Sequence, residues 1–160
     1  MKEVMKMTEI SEVSMALTFS LDGETFALPV EHVSEIIDPL PVTRAPNADP
    51  FAPGLINVRG AIAPVVDLRQ RLGMKPGEIG ETSRILVLDL VLDGQATKVA
   101  MLADDVDDIT ETAVTDVEAV PELGVRWPTD LLRGVVRKDG AIVVLLDVDA
   151  AFAPAGQPSI

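Results

Sequence analysis

The chain is 160 residues long, 48% hydrophobic and only 3% aromatic, so its core must be built from Val, Leu, Ile and Ala within one domain or two small packed ones. With no cysteine, it excludes disulfides, thiolate metal sites and cysteine nucleophiles, and it is compatible with a reducing compartment. A formal charge of −13 repels phosphate backbones and anionic lipid, so nucleic acid and membranes are poor partners.

Along the chain, the first thirteen residues carry Lys and Glu every few positions and no apolar leader. Val4, Met7, Ile10 and Val13 are spaced for one amphipathic helix, and residues 1–14 read as an extension. Met15–Leu21 alternates with period two and runs into Asp22-Gly23. Asp93-Gly94 and Asp139-Gly140 likewise sit between apolar runs, and Asp-Gly in that setting predicts a hairpin. The polar, Gly/Pro-rich stretch Met74–Thr82 predicts a loop between two halves. The longest apolar runs, Ile85–Leu92 and Ala141–Leu146, are cut or ended by Asp and fall far short of the roughly 20 residues a membrane helix needs. A cytoplasmic location is expected. Residues 153–160 hold two prolines and a glycine and are expected to form a frayed tail.

The most informative feature is a repeat. At an offset of 80, Gly54, Gly60, Ala61, Ile62 and Asp67 fall on Gly134, Gly140, Ala141, Ile142 and Asp147. At an offset of 73, Ala27, Val33 and Ile36 fall on Ala100, Val106 and Ile109, while Glu31 and Glu35 meet Asp104 and Asp108. Each copy reads as hairpin, short turn, strand, second hairpin and a brief helical turn at Asp67–Leu72 or Asp147–Phe152. Short strands of that kind close into small barrels that hide their edges. The predicted fold is all-β: two small five-stranded SH3-like barrels packed together, approximately 15–80 and 81–152, with strands free to cross between them.

Catalytic groups are scarce. The one histidine, His32, aligns with Asp105 and so reads as an exposed polar position without a second His or a Cys for a metal. No serine elbow or phosphate-binding glycine loop occurs. Asp67 and Asp147 are repeat-related, which raises the aspartic-protease arrangement of two carboxylates sharing a proton. Their bulky neighbours favour a capping role for each at the next helical turn. From Asp104 to Glu118 there are seven carboxylates and no Lys or Arg. This run lacks calcium-loop spacing and is either a solvated face or a docking face for a basic partner. No cofactor or metal is expected.

The segment Gly54-Leu55-Ile56-Asn57-Val58-Arg59-Gly60-Ala61-Ile62-Ala63-Pro64-Val65-Val66-Asp67-Leu68-Arg69 resembles the most recognisable stretch of the CheW family of chemotaxis coupling proteins. The likeness continues in Phe26–Ile36, in Thr43-Arg44-Ala45-Pro46, in Phe51 with Gly54, in Ala103-Asp104-Asp105-Val106 and in Gly134–Asp147. It covers about residues 15–152, nearly the whole chain. Ala103 departs from it, standing where the family commonly has a larger residue, which predicts looser packing there. The resemblance implies a non-catalytic adaptor that couples the cytoplasmic hairpins of chemoreceptors (methyl-accepting chemotaxis proteins) to the regulatory domain of the histidine kinase CheA. The length leaves no room for kinase, phosphotransfer or receiver domains, which favours a free-standing coupler. By family position, Val30, Val33, Glu35, Ile36, Ile85 and Ile109 would form the receptor groove, with Glu35 as a rim charge, and Arg59 with Asn57 would contact a partner. The alternatives are a coupler for another receptor–kinase pathway such as surface motility, the aspartic-protease-like hydrolase, or a barrel that binds small ligands.

One residue draws the same inference from physics. The turn Asp139-Gly140 suits the positive φ angles of a tight hairpin. Its counterpart is Arg59-Gly60, and Arg gains nothing as a turn former. If that turn is equally tight, Arg59 is kept for a contact.

Overall fold

A computed structural model describes residues 13–113, 116–121 and 127–153. The helix expected over Val4, Met7 and Ile10 and the tail beyond 153 lie outside the described residues, while Val13 opens a strand. The first copy contains hairpin β1 (Val13–Leu21) and β2 (Glu24–Pro29), a 3₁₀ turn Val30–His32, β3 (Val33–Ile37), β4 (Thr43–Arg44), hairpin β5 (Gly54–Val58) and β6 (Ala61–Val66), and the helical turn Leu68–Arg71. The second copy has β7 (Arg84–Leu92), β8 (Gln95–Ala103), β9 (Asp105–Ala113), a 3₁₀ turn Thr129–Leu131 placed after its third strand, β10 (Leu132–Lys138), β11 (Ala141–Leu146) and the helical turn Val148–Ala151, with an isolated bridge Glu118↔Val135 in place of β4. All four hairpins turn through two residues of positive φ. The non-glycine positions are Asp22, Arg59, Asp93 and Asp139, at φ 52–53°.

The strands form two sheets, one of five strands in the order β10-β11-β2-β1-β9 and one of six in the order β3-β7-β8-β6-β5-β4. Each sheet takes its central hairpin from one copy and its remaining strands from the other. The hairpin β1–β2 sits among the second copy's strands, and β7–β8 sits among the first copy's. The register obeys both repeat offsets. The parallel pair Val65↔Ala100 in the larger sheet is matched by Leu145↔Ala27 in the smaller. Irregularities recur at matching places, between Val33 and Glu35 in β3 and opposite Thr18 and Phe19 in β9. In the smaller sheet Thr18 fills that gap, donating its hydroxyl to the Asp108 carbonyl at 3.0 Å and accepting the Asp108 N–H at 3.1 Å.

Gly54 and Gly134 explain their own repetition. A Cβ would lie 2.7 Å from the Thr43 carbonyl oxygen at Gly54 and 2.8 Å from the Glu118 carbonyl oxygen at Gly134, so only glycine lets the flanking strand come this close. The repeated aspartates also share one role. Asp67 accepts the Arg69 N–H at 3.1 Å, and Asp147 accepts the Ala150 N–H at 3.2 Å. Each caps the next helical turn, which satisfies donors a helix start leaves orphaned.

The central strands are buried on both faces, which is why they read as near-continuous apolar runs. One face of the larger sheet holds Ile56, Val58, Val65, Ile85, Val87 and Ala100. One face of the smaller holds Ala16, Ala27, Val136, Val143 and Leu145. Between the sheets lies the main core, with Leu17, Phe19, Phe26, Leu28, Leu86, Leu88, Met101 and Leu146 at its centre. All four Phe belong to this core and Trp127 packs against it, its ring edge-on to Phe26 at 5.3 Å. The few aromatics are therefore spent where the two sheets meet, the site at which a large rigid ring buries the most surface.

Two arginines of the first copy fasten the sheets together. The guanidinium of Arg69, nearly buried, pairs with the Asp104 carboxylate, whose other contact is the Asp22 N–H at 2.8 Å. Arg71 donates to the Ala151 carbonyl at 2.9 Å, at the end of the second helical turn, and lies 3.6 Å over the Phe51 ring. Burial lowers the pKa of Arg71, while Asp49 raises it. A cation at the carbonyl end of a helical turn is favourably placed. The second copy has Ala151 where the first has Arg71, so this tie is one-sided.

Candidate partner-binding site

The site forms where β5 turns into β6. Arg59 occupies the first turn position at φ 53°, a region that costs a non-glycine residue roughly 1–2 kcal/mol. Asn57 braces the turn by accepting the Gly60 N–H at 2.8 Å. The Arg59 side chain then crosses to β3, where its Nε donates to Glu35 at 2.9 and 3.1 Å to the two carboxylate oxygens. Arg59 is 76% exposed and Glu35 27% exposed, so the pair is a surface clasp. As an exposed pair it contributes at most about 1 kcal/mol to stability, too little to account for the strained turn. The turn is as tight as its Asp-Gly counterparts, so the backbone cost falls on the residue least suited to it.

Of the other residues expected at a receptor groove, Ile36 follows Glu35 on β3 and is 45% exposed, and Ile109 on β9 is 48% exposed. The two are equivalent: Ile36 pairs with Leu86 as Ile109 pairs with Leu17. They lie on edge strands of different sheets. Val33 is half-buried against the main core, and Val30, in the 3₁₀ turn joining the sheets, lines a pocket of about 720 Å³. Ile85 is 3% exposed and belongs to the core of the larger sheet, opposite Ile37, because the inward face of β7 takes every second residue. Glu35, expected as a rim charge awaiting a basic partner, already holds Arg59.

The acidic run does two things. Asp104 is a structural junction between Arg69, the Asp22 turn and Thr82, whose hydroxyl donates to the Asp104 carbonyl at 2.7 Å. Beyond it Asp107 has its pKa raised, first by burial, then by Asp105 and less by Asp108, against a lowering hydrogen bond from Ser20. Among the described residues no cluster of His, Cys, Asp or Glu could hold a metal ion, and no helix is long and apolar enough to cross a membrane. Asp67 and Asp147 each hold a backbone N–H of the next helical turn, an arrangement that fits caps.

Sequence reasoning does not find Arg69, Arg71 or the junction at Asp104. Arg69 meets its partner 35 residues away and Arg71 meets its carbonyl 80 residues away, so no local pattern announces either. The one available signal is the repeat itself, which sets Arg71 against Ala151.

The structure is a duplicated all-β chain of two packed sheets, with an arginine clasp on a strained turn at one sheet end. Comparison with known proteins supplies its family. Residues 15–155 match the model for the CheW-like domain, and the chain belongs to that family. It is 29% identical over 145 residues to the chemotaxis protein CheW of Bacillus subtilis, covering 90% of each chain. It is 31% identical over 136 residues to CheW of Rhizobium meliloti, covering 85% of each. Its fold superposes on the crystal structure of the scaffolding protein TtCheW from Thermoanaerobacter tengcongensis with a TM-score of 0.78, at 25% identity and covering 91% and 92% of the two chains. The all-β architecture and the non-enzymatic adaptor class expected from the sequence agree with these matches. The smaller sheet has the expected five strands, and the larger gains a sixth in the two-residue β4.

Proposed function

We propose that this protein is a cytoplasmic coupling adaptor that joins the cytoplasmic hairpins of chemoreceptors to the histidine kinase CheA and reaches the membrane only through those partners. The observation that carries this reading is the Arg59–Glu35 clasp: an exposed ion pair held on a turn whose geometry disfavours arginine. Receptor tips are helical, and a helix docks into an apolar groove with charged rims. Ile36, with Glu35 and Arg59 beside it, offers that chemistry on the larger sheet, and Val30, Val33 and Ile109 extend it towards the smaller. Asn57 serves by holding the turn that aims Arg59. Ile85 supports the groove from within the sheet. The family match and the scaffolding neighbour support the same reading.

The test is co-sedimentation of a receptor signalling fragment with CheA, with and without this protein. Kinase recruitment is expected to depend on it, and Arg59→Ala is expected to keep the native circular-dichroism spectrum while losing recruitment. Recruitment that does not depend on the protein, or a well-folded Arg59→Ala that recruits normally, overturns the proposal.

A further inference from the structure

The two sheets share a register but fill their inner faces differently. Leu17↔Leu28 in the smaller sheet matches Leu86↔Met101 in the larger, which makes Ala16 the equivalent of Ile85 and Thr110 the equivalent of Ile37. Two isoleucines in one sheet are therefore an alanine and a threonine in the other. At the end of the smaller sheet lies the pocket of about 720 Å³, a size that takes a side chain or a short segment. Ala16, Ala27, Val117 and Leu145 give it apolar walls, Thr112 a polar one, and Arg133 and Glu31 stand on its rim.

Most of the arginines have a partner within the chain. Arg59, Arg69, Arg84 and Arg137 each pair with a carboxylate, and Arg71 donates to a backbone carbonyl. Arg44, on the short strand β4, and Arg133 are exposed and make no ion pair or hydrogen bond through their side chains among the described residues. Arg133 lines this pocket, in a protein of charge −13 that has acidic groups to spare. An unpaired guanidinium beside an under-filled apolar pocket is complementary to a carboxylate next to an aliphatic group, since charge-assisted bonds to carboxylate are the strongest arginine makes. Glu31 across the rim repels a second carboxylate and so fixes the direction of docking.

We propose that this end of the smaller sheet is a docking site for an acidic, aliphatic protein segment, which inserts a branched side chain against Ala16, Ala27 and Leu145 and sets a carboxylate on Arg133. This deepens the adaptor reading, from which it takes only that the occupant is a protein. The site lies on the opposite sheet from Arg59, meets the proposed receptor groove at Val30, and has a charge preference opposite to that of the acidic run on β9.

The experiment is a titration of the full-length ¹⁵N-labelled protein with a capped helical peptide carrying Leu and Glu four residues apart, with its twin in which Glu is replaced by Lys, and with decanoate. The Leu/Glu peptide is expected to shift the amides of Ala16, Ala27, Thr112 and Leu145, and the Lys twin to bind about tenfold more weakly or not at all. Arg133→Gln is expected to weaken the Leu/Glu peptide by about the same factor while leaving the Arg59–Glu35 clasp and receptor coupling at Arg59 untouched. Ala16→Ile, which installs the larger sheet's residue, is expected to fill the pocket and abolish the shifts. Should Ala16→Ile fail to fold, the peptide pair and Arg133→Gln decide alone. The proposal is overturned by an absence of shifts at about millimolar Leu/Glu peptide, by equal binding of the two peptides, by an Arg133→Gln protein that binds as the wild type does, or by binding of decanoate alone, which would make the site a small-ligand pocket. Because the titration contains neither receptor nor kinase, its failure leaves the Arg59 reading standing, and the failure of that reading leaves this one measurable.

Discussion

Where the larger sheet ends in buried Val58 and in Arg59 reaching back to Glu35, the smaller sheet ends in Lys138, whose ammonium donates to the Thr110 hydroxyl at 2.6 Å, and in Asp139 at the turn. Both contacts do the same mechanical work, tying a hairpin to the edge strand across the end of its sheet. They differ in what they leave outside. The larger sheet is packed with isoleucine beneath the tie and presents a charged clasp above it. The smaller sheet has Ala16 and Thr110 beneath and presents an apolar pocket. Duplication thus kept the glycines, the tight turns and the capping aspartates, which this fold uses in both copies, and changed the sheet ends.

The steepest way to sharpen that comparison is to empty the packed sheet. Ile85→Ala is expected to destabilise by about 2–5 kcal/mol in chemical denaturation, since its surroundings on β7 and β3 are already fixed. A loss below about 1 kcal/mol would show that the larger sheet is no better packed than the smaller. Next come the paired glycines. Gly54→Ala and Gly134→Ala should each cost about 1–3 kcal/mol, because the added carbon meets a backbone carbonyl that cannot rotate away. Similar losses at the two sites would confirm that the copies share this close approach, and a tolerated Gly134→Ala would break the equivalence.

A smaller effect on stability separates backbone from side chain at the clasp. Arg59→Gly relieves the positive φ and loses only an exposed ion pair, so its stability should lie within about 1 kcal/mol of the wild type or above it. Coupling should nonetheless fall as far as in Arg59→Ala, and a glycine variant that couples normally would assign the site's role to the turn and not to the arginine. The smallest effect concerns Asp107. Burial and Asp105 raise its pKa in the folded protein, so the folded state holds that proton more tightly than the unfolded chain does. Its charge therefore costs stability at neutral pH, and the cost fades as pH falls through the raised folded value towards the ordinary carboxylate range. Asp107→Asn should raise Tm slightly at about pH 7 and not at about pH 3. A rise of the same size at both would rule out titration as its cause.

Much of the architecture is legible because it is local. Asp-Gly pairs mark three of the four hairpins, and the fourth, Arg59-Gly60, emerges from the repeat. The capping role of Asp67 and Asp147 is readable from their place directly before a short helical turn. The clasp is half legible: an arginine at a tight turn is suspicious in the sequence, but its partner Glu35, 24 residues away, reads there as a charge awaiting a partner of its own. Burial of Ile85 is not distinguishable from exposure, since a strand covered on both faces shows no alternation. Arg133 gives no signal, because an arginine's lack of a partner is visible only once every carboxylate has been placed.

By itself, the sequence determined a duplicated all-β chain, the order of its elements, its tight turns and the residues that terminate them. Each of these depends on neighbours a few residues apart, through side-chain alternation, positive φ and capping hydrogen bonds. Only the tertiary structure decided that the hairpins β1–β2 and β7–β8 exchange places, that Arg69 and Arg71 fasten the sheets, and that one sheet end is filled while the other is open. The reason is that the two copies carry the same strand pattern. Pairing a hairpin with its own copy or with the other satisfies the same alternation and the same hydrogen bonds, so the choice rests on how well the assembled cores fill space, a property that no local stretch of sequence contains.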